Sequence, residues 1–71
     1  MINLLFSISV IVSILSFGAV PDGTTDNAAA INKAIEFCHK KGRGIVVVPP
    51  GEFATGSIHL RSGVTLRLDE G

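Results

Sequence analysis

The sequence predicts a mostly β chain that contains one α-helix. Short β-branched or alternating apolar runs occur at residues 45–48, 57–60 and 64–69, and glycine, serine or proline residues separate them. One segment, residues 26–41, has the apolar spacing of a helix. Two arrangements fit this pattern: a small antiparallel meander, or the first turns of a parallel coil whose open end the helix covers. The pattern alone does not choose between them.

Length and composition limit the classes of function. The 71 residues suffice for one small domain, whose core would be marginal in isolation. Six basic residues balance six acidic residues and form no basic run, so no electrostatic feature favours nucleic-acid binding. The absence of Trp and Tyr removes the usual platform on which bases and sugars stack.

Residues 1–13 form an apolar leader. The stretch is too short for a stable membrane span, which needs about 20 residues. It is closer to the apolar part of a secretory signal peptide, although no Lys or Arg precedes it and no clear small-x-small cleavage site follows it. A buried strand is the alternative, because β-branched residues alternate there. We expect a degenerate leader that runs into a first strand near residues 12–17, with residues 14–71 as the incomplete amino-terminal portion of the folded domain.

A turn and a helix follow. Glycine, proline and aspartate residues predict a turn at 18–23, and the helix after it argues against a hairpin. Either Thr25 or Asp26 can cap the amino end of the helix, and Gly42 can end it in the left-handed conformation. The loop lacks a Walker lysine and the G-x-G-x-x-G spacing, so we reject a nucleotide site. The predicted buried face of the helix consists of Ile31, Ala34, Ile35 and Cys38.

The three strand-like runs differ in their patterns. Residues 45–48 are apolar on both faces, which predicts a strand covered on both sides, with the helix as one cover. Residues 57–60 and 64–69 alternate between apolar and polar side chains, as in half-buried strands. The last strand would leave an unpaired edge, as expected of the first turns of a longer structure. Its bare apolar face would consist of Val64, Leu66 and Leu68.

The residues that could carry chemistry are isolated from one another in the sequence. We expect Cys38 to be a small apolar residue of the helix, His39 to belong to its basic end and His59 to point outward from a strand. No catalytic, cofactor-binding or metal-binding residue is assigned. Single carboxylates in turn, cap and strand-end positions are expected to be structural: Asp22, Asp26, Asp69 and Glu70.

Two stretches resemble a known family. FGAVPDGTTDNAAAINKAIEFC and GIVVVPPGEFATGSIHLRSGVTLRLDEG are similar to the amino-terminal region of the polygalacturonase family of glycoside hydrolases, over about residues 16–71. Pectate-lyase-like proteins and phage tailspikes share the form of the FGA-x-x-DG-x-T-D-N signature, whereas the second stretch looks more specific to polygalacturonases. Ala28, Arg43 and Gly63 depart from the family pattern.

The resemblance implies a right-handed parallel β-helix with an N-terminal capping helix, in a secreted or periplasmic protein. It also implies a pectin or polygalacturonate partner, and hydrolysis of its α-1,4 links by an inverting pair of acid and base carboxyl groups. The family's catalytic groups lie in N-T-D, D-D, G-H-G and R-x-K motifs, none of which occurs here. The resemblance therefore implies an amino-terminal fragment that is inactive by itself. Two alternatives stay open: a carbohydrate-binding or tailspike-type fragment without hydrolase activity, and a small free-standing interaction protein.

Overall fold

A computed structural model of the chain describes residues 10–69. One α-helix and three strands form its framework, and a short 3-10 helix follows the first strand. In chain order the elements are β1 (Val10–Ser13), the 3-10 helix (Ile14–Phe17), α1 (Ala28–Lys40), β2 (Gly44–Val48) and β3 (Val64–Leu68).

The three strands form a parallel sheet with β2 in the middle. Val12 of β1 is in register with Val46 of β2, which is in register with Leu66 of β3. Parallel strands need a crossover connection, and α1 lies in the one between β1 and β2. The strands thus pair in parallel, as expected of the coil alternative, and the antiparallel meander is wrong.

Helix α1 packs on one face of the sheet and supplies five of the eight buried residues of the core cluster. Ile14, Ile35, Val46 and Cys38 are fully buried there. The predicted buried face of the helix is confirmed, since all four of its members belong to the same apolar cluster. Burial of an Ile or Val side chain contributes about 1.5–3 kcal/mol, so these contacts hold the helix on the sheet.

Both predicted helix ends are confirmed to within two residues. The carboxylate of Asp26 accepts a hydrogen bond from the backbone N–H of Ala28, the first helical residue, at 3.0 Å. The N-cap position itself is Asn27, one residue after Asp26, and its side chain makes no capping bond; the hydroxyl of Thr25 donates to Asp22. At the other end Gly42 has φ of 99° and donates its N–H to the carbonyl of His39 at 3.0 Å.

The first strand lies earlier than the predicted 12–17. It ends at Ser13, whose side-chain oxygen accepts a hydrogen bond from the N–H of Leu15 at 3.1 Å and so caps the 3-10 helix. The β-branched pattern did not reveal this turn, because the capping bond competes locally with strand pairing. The last four residues of the predicted leader therefore form β1, and its residues 1–9 lie outside the described part of the chain.

The strand predicted at residues 57–60 is wrong. This segment pairs with no strand, and helix side chains satisfy its backbone instead: the N–H of His59 donates to Oδ1 of Asn32 at 2.8 Å. The alternation of apolar and polar residues in this segment does not mark a strand with one buried face. Of its two apolar residues, Ile58 packs against the core, whereas Leu60 is 63% exposed. His59 is exposed as predicted, but it does not lie in a strand.

The side chains of the central strand, β2, are more fully buried than those of β3. Val46 lies in the core under α1, and Val47, whose side chain points to the opposite face, is 8% exposed. On β3 only the first part of the predicted apolar face is used, because Val64 and Leu66 pack against the core while Leu68 is 70% exposed. Within residues 10–69 no helix is long and apolar enough to cross a membrane.

Candidate functional site

Two loops meet beside the amino end of α1 and gather acidic residues there. The N–H of Gly23 donates to the carbonyl of Glu52 at 2.8 Å, and Asp22 and Glu52 form an isolated parallel bridge. The N–H of Asn27 donates to the carbonyl of Ala54 at 2.9 Å. These bonds join the turn before the helix to the loop after β2. Most glycosidases use a pair of Asp or Glu side chains as their catalytic groups. The junction of the two loops, which brings Asp22, Asp26 and Glu52 together, is therefore the first candidate for acid–base chemistry.

Asp22 is the first carboxylate of the junction. It accepts hydrogen bonds from the N–H groups of Thr24 at 3.0 Å and Thr25 at 2.7 Å, and from the Thr25 hydroxyl at 2.5 Å. These bonds, above all the one from the Thr25 hydroxyl, lower the pKa of Asp22 to about 2. A general acid needs a raised pKa, so Asp22 is suited to its predicted role in a turn and unsuited to proton donation.

Asp26 is held in a similar way. One of its oxygens accepts from the N–H of Ala28 at 3.0 Å and from the N–H of Gly56 at 2.9 Å. The bonds from Ala28 and then Gly56 hold the pKa of Asp26 below its ordinary value. The carboxylate thus ties the helix start to the loop after β2, and it is also a poor proton donor.

Asn27 is the residue that the sequence analysis missed. Its side chain is 2% exposed, accepts from the N–H of Val20 at 2.8 Å, and donates to the carbonyls of Val20 and Ala54 at 3.0 Å each. One side-chain amide thereby adds three hydrogen bonds to the backbone bonds that join the two loops. The available signal was the Asp–Asn pair directly before the helix, but a polar residue there also fits an ordinary cap.

A second set of polar contacts joins α1 to the segment that leads into β3. Asn32, Glu36 and His39 lie on one stripe of the helix, at i, i+4 and i+7. Asn32 bonds to the backbone at both ends of residues 57–59, and Glu36 forms an ion pair with Arg61. The Nδ1 atom of His39 lies 3.0 Å from the carbonyl of Ser62 and must carry the proton, because a carbonyl only accepts.

The other predicted structural residues are also engaged or buried. Cys38 is fully buried, and burial raises the pKa of its thiol, which disfavours the reactive thiolate. Asp69 forms an ion pair with Arg67, with 3.0 Å between Nε and Oδ1. Glu70 lies outside the described residues. Over residues 10–69, no group of three or more His, Cys, Asp or Glu side chains could hold a metal ion.

Two surface grooves lie elsewhere. One of about 460 Å³ is formed by residues 42–45 and 63–65, where β2 and β3 begin. The other, of about 450 Å³, runs along α1. Neither of these two grooves is lined by Asp22 or Asp26. The second groove, here called the helix groove, is lined by Phe17, Asn32, Lys33, Glu36, Phe37 and Lys40.

Comparison with known proteins identifies the scaffold. The family model described as "Rhamnogalacturonase A/epimerase, pectate lyase-like" matches residues 11–67, a span that includes α1, β2 and most of β3. The chain belongs to this pectate-lyase-like family. The resemblance to pectin-degrading enzymes inferred from the two sequence stretches is therefore confirmed.

The curated relatives of this pectate-lyase-like chain are much longer proteins. An exo-poly-alpha-D-galacturonosidase of Dickeya chrysanthemi is 44% identical over 61 residues, which are 86% of this chain and 10% of the relative. Mannuronan C5-epimerase AlgE6 of Azotobacter vinelandii is 37% identical over 76% of this chain and 7% of its own length. The chain thus spans a tenth or less of these two relatives.

Solved structures of pectate-lyase-like proteins match the same segment. A protein of Parabacteroides merdae assigned as a glycosyl hydrolase superposes with a TM-score of 0.81 and 36% identity, over 86% of this chain and 27% of that one. The AlgE6 A-module gives 0.75 and 36%, over 79% and 17%. The segment therefore recurs in proteins named for hydrolysis and for epimerisation, and it is the shared scaffold that the comparisons identify.

Proposed function

We propose that this chain forms the first turns of a right-handed parallel β-helix in a polygalacturonase-like glycoside hydrolase. The substrate would be a pectin-type polysaccharide, cut at its α-1,4-galacturonosyl links in a secreted or periplasmic setting. The observation that carries the proposal is the 44% identity to an exo-poly-alpha-D-galacturonosidase over 86% of this chain.

The sheet supports the β-helix part of the proposal. Each position of β2 is in register with one position of β3, and β1 continues the same ladder on the other side. Crossovers between parallel strands of one sheet are almost always right-handed. In a coil the outer edge of β3, which pairs with no further strand within residues 10–69, would receive the next turn.

The proposal places the catalytic groups outside this chain. An inverting glycosidase needs one carboxyl group with a raised pKa and a second carboxylate that activates water on the opposite face of the sugar. Asp22 and Asp26 have lowered pKa values and serve as hydrogen-bond acceptors for the backbone. We therefore assign no catalytic residue here and expect the 71-residue chain to be inactive by itself.

The leader belongs to the same proposal. We place an export leader within residues 1–13 and the incomplete β-helix portion after it. Removal of all 13 residues would delete β1, because Val10–Ser13 pair with β2. Any cleavage compatible with the sheet therefore falls before Val10.

An epimerase is the second candidate function. The likeness to AlgE6, in sequence and in the TM-score of 0.75 to its A-module, favours a uronate C5-epimerase as the alternative. An epimerase inverts C5 of a sugar within the polymer and leaves the glycosidic link intact. The two functions therefore differ in whether new reducing ends form.

The test uses the complete protein that contains this chain, incubated with polygalacturonate and with polymannuronate. Hydrolysis releases reducing ends without unsaturated products, whereas a lyase also creates a double bond that absorbs ultraviolet light. Epimerisation changes the anomeric signals in the ¹H NMR spectrum without new reducing ends. We expect the hydrolytic result on polygalacturonate, and any of the others refutes the proposal.

The 71-residue chain is assayed beside the complete protein. We expect it to release no reducing ends. Release by this chain alone would show that catalytic groups lie within it. Retention of the complete protein on a polysaccharide gel without any reaction would favour the binding-only alternative.

A further inference from the structure

The helix groove combines lysines with aromatic rings on the surface of α1. We propose that it is a binding site for a uronate polysaccharide. The inference rests on the proposed function for its substrate class. Its volume of about 450 Å³ lies within the usual range for ligand pockets, roughly 300–1,000 Å³.

The charge of the groove favours an anionic occupant. Lys33 and Lys40 line it and are exposed, whereas the one acidic lining residue, Glu36, is already paired with Arg61. A third cation, Nζ of Lys41, lies 5.3 Å from the centre of the Phe37 ring. The chain as a whole carries no net charge, so this positive potential is local.

The spacing suits an extended chain of charged sugars. Lys33, Phe37 and Lys40 follow one another at i, i+4 and i+7, which places the two lysines about 10 Å apart along the helix, on either side of the ring. The Phe37 ring is 39% exposed and leans against Phe17, with 5.8 Å between ring centres. A uronate offers a carboxylate and an apolar ring face in each unit, which matches this alternation.

Basic residues at the carboxyl end of a helix are common without any ligand, but this explains only some of the lysines at the groove. Lysines in the last turn complement the exposed carbonyls there, and this accounts for Lys40 and Lys41. Lys33 lies in the middle of Ala28–Lys40, where the helix needs no such charge. Lys33 is therefore the residue that distinguishes a binding site from a helix end.

The experiment compares Lys33→Glu with Arg43→Glu in the complete protein. Both variants change the net charge equally, but Arg43 does not line the helix groove. Retention on a polygalacturonate gel should weaken about five-fold for K33E and less than about two-fold for R43E, as expected for loss of one exposed charge contact. Soluble polygalacturonate should compete, whereas its fully methyl-esterified form, which lacks the charge, and polyglutamate, which lacks the sugar ring, should not.

Two further measurements keep the outcomes distinct. The unfolding temperatures of both variants should match that of the parent protein, and far-ultraviolet circular dichroism should show the same helix content in all three, so that a loss of retention reports the groove and not a folding defect. Equal weakening by both variants, competition by polyglutamate, or no weakening at all would each overturn the inference. If K33E weakens retention in a protein that does not hydrolyse polygalacturonate, the proposed function fails while the binding site stands. If the protein hydrolyses polygalacturonate and K33E leaves its retention unchanged, the proposed function stands while the binding site fails.

Discussion

The buried amide of Asn27 gives the sharpest test of how the two loops are held together. We expect Asn27→Ala to destabilise the chain strongly, although the residue lines neither of the two grooves described above. The substitution removes three hydrogen bonds, two to Val20 and one to Ala54, at distances of 2.8–3.0 Å.

The magnitude follows from those bonds and their exposure. A neutral hydrogen bond contributes about 0.5–1.5 kcal/mol, so three contribute about 2–4 kcal/mol. Val20 is 41% exposed, so water can replace part of what is lost, and about 2–3 kcal/mol remains. For a chain of this length, total stability is on the order of 4–10 kcal/mol, and the expected loss lowers the unfolding temperature by about 10–20 °C.

The assay is urea unfolding followed by far-ultraviolet circular dichroism, because the chain has no Trp or Tyr for fluorescence. The matched control is Asn32→Ala, the same chemical change at a position within α1. Asn32 makes two bonds to exposed backbone groups of Ser57 and His59, so we expect a loss of about 0.5–1 kcal/mol.

Two results would contradict the reasoning. If N27A and N32A lower the free energy of unfolding equally, burial of the Asn27 amide does not strengthen the contribution of its hydrogen bonds to stability. If N27A costs less than about 0.5 kcal/mol, the junction is held by other contacts. Amide hydrogen exchange offers a local check, since the N–H of Val20 should exchange faster in N27A than in N32A.

Three further predictions concern glycines and one carboxylate. A Cβ added at Gly44 would lie 2.6 Å from Sγ of Cys38, 2.7 Å from its Cβ and 2.9 Å from the carbonyl oxygen of Val10, so Gly44→Ala should cost about 1–3 kcal/mol by urea unfolding; a loss below about 0.5 kcal/mol would contradict this close packing. Gly63→Ala should cost more than Gly42→Ala, because both have positive φ but only the Gly63 Cβ meets a carbonyl oxygen, at 2.5 Å; equal losses would show that φ alone decides. The folded-state pKa of Asp22, about 2, lies below its ordinary 3.8, so its stabilisation is present above about pH 4 and is lost as the pH falls toward 2. In Asp22→Asn the urea midpoint should therefore fall less between about pH 5 and pH 2 than in the parent chain, and an unchanged pH profile would argue against this assignment.

The candidate site could be predicted from the sequence only in part. The turn and cap roles of Asp22 and Asp26 followed from residue type, since both accept bonds from neighbours two or three positions away. Asn27 could not be recognised, because its partner Ala54 is 27 residues distant. The helix groove was equally hidden, since it joins Phe17 to the outer face of α1.

The sequence by itself determined the helix and its buried face, together with the existence of β2 and β3. Helical periodicity and β-branched runs are local properties, which neighbouring residues report without any knowledge of the rest of the chain. Only the tertiary structure decided that the strands pair in parallel, that β1 ends at Ser13, and that residues 57–60 lie along the helix. Alternating side chains show that a segment is half-buried, but not which backbone it meets. For residues 57–60 the partner is Asn32 of the helix, 25–27 positions away, so only the folded chain could identify it.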